Sequence, residues 1–249
     1  MSTKFAAFSK SPGIIGVGLA IVVCFALALG FGAQMVAAET WSTDLTRALA
    51  FSWANMGGLY FGILAPILVA GLVATMVAPE KQRGNLQWMR SQPRGISILI
   101  REKLAAIVVS CTAICVLQVA GVLGFGAMTG TFGEPLLTAL LSYAVLSGLG
   151  MFSVACFYLW VSTYTDSLAS TVAIAMGLTI ATMGVSILNQ LVAGSNTIER
   201  FLPTSQIVST SFARSPGQTD PMVLILASVI ALAWAGVFLA LSVRRLRRA

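Results

Sequence analysis

The sequence predicts an all-α membrane protein with six transmembrane helices and both termini in the cytoplasm. Three observations carry this. Of 249 residues, 57% are hydrophobic and only 9% charged, against about 25% charged in soluble domains, and mean hydropathy is +0.91. The charges leave six uncharged runs, 11–38, 48–79, 104–133, 135–165, 167–198 and 221–243. Each exceeds the roughly 20 residues that cross a bilayer as a helix. Twelve of the fifteen Lys and Arg residues fall before the first run, in the internal segment 79–103, or after the last run; only Arg47, Arg200 and Arg214 fall on the other side. That asymmetry is the positive-inside pattern. It accounts for the basic isoelectric point near 9.7 without nucleic acid, which is not an expected partner. The alternation of a membrane β-barrel is absent.

The chain reads as one transmembrane domain over 1–249, with spans at about 14–36, 53–77, 104–128, 136–162, 168–191 and 222–243. Met1–Ser11, with Lys4 and Lys10, precedes span one. This start mimics a signal peptide, but its apolar stretch is too long for one, and removing it would leave five spans. Gly13, Gly16, Gly18, Gly30 and Gly32 accompany the span, as glycine does in membrane helices. The loop that follows holds Glu39, Trp41, Asp44 and Arg47, with Trp41 suited to the interface. Span two carries the close-packing spacing Gly58-x-x-x-Gly62 and, at Pro66, an expected kink. Span three ends glycine-rich at Gly121, Gly124 and Gly126. Span four ends in Tyr158, Trp160 and Tyr164, an expected aromatic belt at the cytoplasmic face, and Asp166 marks a short turn into span five. Ala193–Pro221 interleaves Ile198, Phe201, Leu202, Ile207 and Phe212 with polar residues and is broken by Pro203. That pattern suits a re-entrant segment before span six. Arg244, Arg245, Arg247 and Arg248 close span six with a basic stop.

Absences narrow the function. The chain has no histidine, and no Asp, Glu, Lys or Arg lies in the middle of a span. A mid-membrane charge usually marks a proton or ion path, so a proton-coupled pump, a voltage sensor and an intramembrane aspartyl or serine protease are disfavoured. No G-x-x-x-x-G-K-[ST] phosphate loop is present, so ATP is not bound in that way. Cys24, Cys111, Cys115 and Cys156 all lie inside the apolar runs and read as small hydrophobes rather than metal ligands. The polar residues of the spans are mild. Asn55, Gln118, Ser186 and Asn189 are candidates to line a substrate path, with inter-helix hydrogen bonding the plainer role for each; Phe201, in the segment before span six, is a further candidate.

The exception to this apolar character is Pro79–Lys103, which holds Lys81, Arg83, Arg90, Arg94, Arg101 and Lys103 against Glu80 and Glu102. Leu86 and Met89 are three apart, so a short helix would put them on one face, and Ile96, Ile98, Leu99 and Ile100 resume the apolar pattern. The segment reads as an amphipathic cytoplasmic helix–turn–helix near the lipid headgroups. It is either a solvated basic loop that sets topology or a partner dock in which Leu86, Trp88 and Met89 fill a groove. With no energy source elsewhere in the chain, it is where outside energy could enter.

Glu80-x-x-x-Gly84-Asn85-Leu86-x-Trp88-Met89-x-x-x-Pro93, followed by Arg101-Glu102-Lys103-Leu104, resembles the coupling-helix region of type-2 ABC exporter permeases. That family carries Glu-x-x-x-Gly-Thr-Leu with a later Pro and Lys-Leu between its second and third spans; Asn85 stands where threonine is usual. Phe201-Leu202-Pro203-Thr204-Ser205 before the last span is also similar to the family. The resemblance implies a permease subunit without its own ATPase site, docked through Glu80, Gly84, Leu86, Trp88, Met89 and Pro93 on a separate ABC ATPase. Two ATPase copies would bind ATP and Mg; this chain itself would hold no cofactor. Six spans are half of the family's usual complement, so a second permease, identical or homologous, would pair with this chain. The compact size resembles permeases that expel lantibiotics, other antimicrobial peptides or drugs across the bacterial cell membrane. The competing class is a passive channel or a non-transporting membrane scaffold, in which Leu86, Trp88 and Met89 would be dispensable.

Overall fold

A computed structural model describes residues 64–82, 88, 91–92, 95–129, 134–193, 201–207 and 221–248. The first span, the start of the second and most of the 83–94 segment therefore lie outside the described residues.

Among the described residues five α-helices follow in order: α1 (Ala65–Gln82), α2 (Gly95–Thr129), α3 (Glu134–Ser162), α4 (Leu168–Ala193) and α5 (Pro221–Arg248), with a 3₁₀ turn at Pro203–Ser205 before the last. Four of them contain stretches long and apolar enough to cross a membrane: Gly95–Gly121, Ala144–Ser162, Leu168–Val185 and Leu224–Arg247. These correspond to the predicted spans three to six. In α1 the apolar stretch is the shorter Ala65–Ala78. Pro66 is the second residue of α1, and the π-helical Leu64 directly precedes that helix.

Two boundaries differ from the sequence reading, for one physical reason. Span three was expected to start at about Leu104 after a separate amphipathic piece. Instead Gly95–Lys103 is the beginning of α2 itself, a single helix of 35 residues, about 52 Å long at 1.5 Å per residue. Likewise α5 runs through the basic stop to Arg248. Charges mark where a chain leaves hydrocarbon, but the backbone hydrogen bonds of a helix are made locally and continue beyond that edge.

The central helix is α3, which packs on α5, α1 and α2, while α4 packs chiefly on α1. The core between α1, α2 and α3 is built from Val69, Val73, Met76, Ile107, Ile114, Met151, Val154 and Tyr158. Where α2 passes α3, a Cβ built on Gly148 would stand 3.4 Å from the Cys115 Sγ, ordinary contact. Outward faces are apolar: Val109 and Val116 on α2, Ile180 and Leu188 on α4, and Ile225 and Val229 on α5 are all exposed. This inverts the soluble pattern and suits helices that face lipid. Serine and threonine in the helices mostly bond back to their own backbone, as Ser110 does to Ala106, Thr179 to Ala175 and Ser242 to Phe238, which satisfies them without a partner helix.

Candidate functional site

At one end of the described bundle the C-terminal ends of α1 and α5, the start of α2 and the turn between α3 and α4 come together. The last turn of α1 carries Glu80 and Lys81 side by side, and each grips a different neighbour. Glu80 Oε1 pairs with Lys103 Nζ on α2 at 3.1 Å, both side chains largely buried. Lys81 Nζ donates to the carbonyl oxygens of Thr163, at 2.8 Å, and Thr165, at 2.7 Å, in the turn between α3 and α4. It also reaches Asp166 Oδ1 at 3.4 Å. Two positions one residue apart on a helix point about 100° apart, which is why adjacent side chains reach different elements. The carbonyls that Lys81 meets belong to the frayed C-terminal end of α3, where backbone acceptors are left over and a cation is favoured.

The same turn is ordered from within. Ser167 Oγ accepts from the Ser170 backbone N–H at 3.1 Å, capping α4, and the Thr165 and Thr171 hydroxyls bond each other at 2.6 Å. On the opposite flank Leu246 of α5 is buried against Ile96 and Ile100 of α2. A narrow crevice beneath is lined by Val77, Glu80, Leu99, Lys103, Leu159, Thr163 and Leu246. This end is thus a braced platform, and in sequence the 83–94 segment joins α1 to α2 at it.

Of the docking residues read from the sequence, Glu80 lies in the ion pair with Lys103, and Trp88 is helical with its ring 61% exposed; Ser91 Oγ donates to the Trp88 carbonyl at 2.7 Å. Gly84, Leu86, Met89 and Pro93 lie outside the described residues. Of the candidate path residues, Asn55 lies outside them, and Ser186 is placed in α4 but its side chain is not described. Gln118 on α2 and Asn189 on α4 are buried, and among the described residues the Nε2 of the first and the Nδ2 of the second meet no hydrogen-bond partner. Such groups are costly unless something meets them.

Phe201 takes an unexpected part. Its ring is 57% exposed, while its backbone carbonyl accepts from Trp234 Nε1 at 3.2 Å. Trp234 is near the middle of α5. Thr204 meets Thr182, near the middle of α4, hydroxyl to hydroxyl. Ser205, Gln206 and Ile207 are fully buried, and Gln206 Nε2 donates to the Leu202 carbonyl at 2.7 Å. The segment 201–207 therefore sits halfway down α4 and α5.

The expected aromatic belt is corrected in one member: Tyr158 is fully buried in the core, and only Tyr164 is exposed. Trp160 stands edge-on to Tyr164 at 5.4 Å, and the rings continue inward through Phe238 to Trp234, 5.6 Å and then 5.2 Å apart. The sequence offered no signal for Lys81's partners or for Trp234, which are long-range contacts between residues of ordinary local pattern.

A family model described as ABC-2 family transporter protein matches residues 10–182, more than two-thirds of the 249 residues. The chain belongs to the ABC-2 transporter family. The match spans the whole platform of α1, α2, α3 and the start of α4, and it ends at Thr182, the residue that meets Thr204. Comparison with the curated proteins finds no match. Membership in the ABC-2 family fits a membrane transport component that normally lacks an ATPase site.

Proposed function

We propose that this chain is the permease subunit of an ATP-driven exporter, docked on a separate ABC ATPase through the segment that joins α1 to α2. The observation that carries the reading is the pair of grips made by Glu80 and Lys81. A segment presenting an exposed Trp88 is anchored at once to α2 and to the α3–α4 turn. Force on it would therefore reach three elements together, as a mechanical input requires. Two ATPase copies would bind ATP and Mg beneath a pair of permeases, identical or homologous. Glu80, Gly84, Leu86, Trp88, Met89 and Pro93 would form the dock, with this face and both termini cytoplasmic and the host membrane the bacterial cell membrane. The cargo would be amphipathic, such as an antimicrobial peptide or drug. Support for this comes from spans without fixed charge and from the buried amides of Gln118 and Asn189. Asn55, Ser186 and Phe201 would join them along the path, and 201–207 would be a re-entrant element on the exit side.

Purification of the tagged chain in mild detergent tests this directly. A nucleotide-binding subunit should accompany the wild-type chain and be lost from Trp88→Ala. A chain that purifies alone, and whose Trp88→Ala variant behaves as wild type in cells, is a channel or scaffold instead.

A further inference from the structure

The end of α5 carries three exposed arginines, Arg244, Arg245 and Arg247, around the buried anchor Leu246. Among the described residues none of the three forms an ion pair. The nearby carboxylates of Glu80 and Asp166 are engaged by Lys103 and Lys81. Arg245 is nonetheless held in place. Its guanidinium lies over the Tyr164 ring, 4.9 Å from the centroid, within cation–π range, and that ring is itself braced edge-on by Trp160. Stacking engages the face of a guanidinium and leaves its N–H edge free to donate. A pre-oriented cation without a carboxylate is an incomplete site, and its natural complement is an oxyanion that takes a forked pair of hydrogen bonds, as phosphate does. The position decides the source of that phosphate. Arg245 lies at the last turns of the membrane-crossing stretch Leu224–Arg247 of α5, and an exposed tyrosine beside it marks the membrane–water interface, where clustered arginines meet anionic headgroups.

From this we infer that Arg245, stacked on Tyr164 and flanked by Arg244, forms a binding site for the phosphate of an anionic phospholipid. The lipid would sit against the α5 end and the α3–α4 turn, the same turn that Lys81 grips. This site does not depend on the exporter reading, since it needs no ATPase.

The test is thermal unfolding of the purified full chain in mixed micelles, with phosphatidylglycerol compared with phosphatidylcholine at equal mole fraction. The midpoint should be higher with phosphatidylglycerol for wild type. Arg245→Gln and Tyr164→Ala should lose the greater part of that difference, and Tyr164→Phe, which keeps the ring, should retain it. Arg101→Gln, which removes an exposed cation from α2, should retain it too. Reading a difference between lipids separates lipid binding from any general loss of stability in a variant. An undiminished difference in Arg245→Gln overturns the site. An equal loss in Arg101→Gln overturns it as well, by showing diffuse attraction to the surface. The same shift produced by inorganic phosphate would overturn the assignment to lipid.

Discussion

Lys81 Nζ donates to the Thr163 carbonyl at 2.8 Å across 82 residues of sequence. An ammonium has three donors, and the other two face the Thr165 carbonyl and the Asp166 carboxylate. The partners are unequal in worth. The Asp166 side chain is 92% exposed, so water screens that contact, whereas the Lys81 side chain is only 15% exposed. Lys81→Met should therefore destabilise the chain by about 1–3 kcal/mol by orphaning buried carbonyls, and Asp166→Asn by less than about 1 kcal/mol. Hydrogen exchange should rise at residues 163–167 in the first variant and stay near wild type in the second. Equal effects would mean that the carboxylate, and not the backbone, is what Lys81 holds.

Glu80 and Lys103 form the second grip. Because both side chains are mostly buried, either single neutralisation should cost about 1–3 kcal/mol. The exchanged pair Glu80→Lys with Lys103→Glu should recover part of it. A double-mutant cycle on unfolding measures the coupling; zero coupling would show that the two residues act independently.

Trp88 is exposed and should contribute little to stability. Trp88→Ala should shift the unfolding free energy by no more than about 0.5 kcal/mol, yet abolish the co-purification of an ATPase that the proposed function expects of the wild-type chain. A variant that unfolds early and keeps its partner would place Trp88 in the core instead of the dock.

Trp234→Phe keeps the aromatic stack on Phe238 and removes the donor to the Phe201 carbonyl. We expect a loss of about 1 kcal/mol and freer access to the 201–207 segment. A Leu202→Cys reporter, which leaves the Thr204 hydroxyl in place, should react faster with a membrane-permeant maleimide in the Trp234→Phe background; an unchanged rate would show that the hydroxyl contact with Thr182 holds the segment alone.

Much of the helical order was legible because charge placement is a one-dimensional signal. The edges at 162 and 168 match the ends of α3 and α4, and Asp166 does mark their turn. The start of α2, read at Leu104 and found at Gly95, was not legible, since the signal reports solvent and not backbone. The facing of side chains was hidden too. In a membrane helix the apolar residues run all round, so periodicity cannot separate a core position from a lipid position. Tyr158 and Tyr164 look alike in sequence, and one is core while the other is surface. At the candidate site the sequence marked Glu80 and Trp88 as noteworthy. It could not show that Glu80 turns inward to Lys103, because that pairing exists only once α1 and α2 are packed.

The continuity of α2 has a mechanical consequence. Lys103 divides the helix unevenly, with about 12 Å toward Gly95 and about 39 Å toward Thr129 at 1.5 Å per residue. A stiff rod pinned at that residue is a lever with a ratio of about three. A displacement of 1 Å imposed at the short arm would swing the long arm's tip by about 3 Å, and the buried Gln118, about 22 Å along that arm, by about 2 Å.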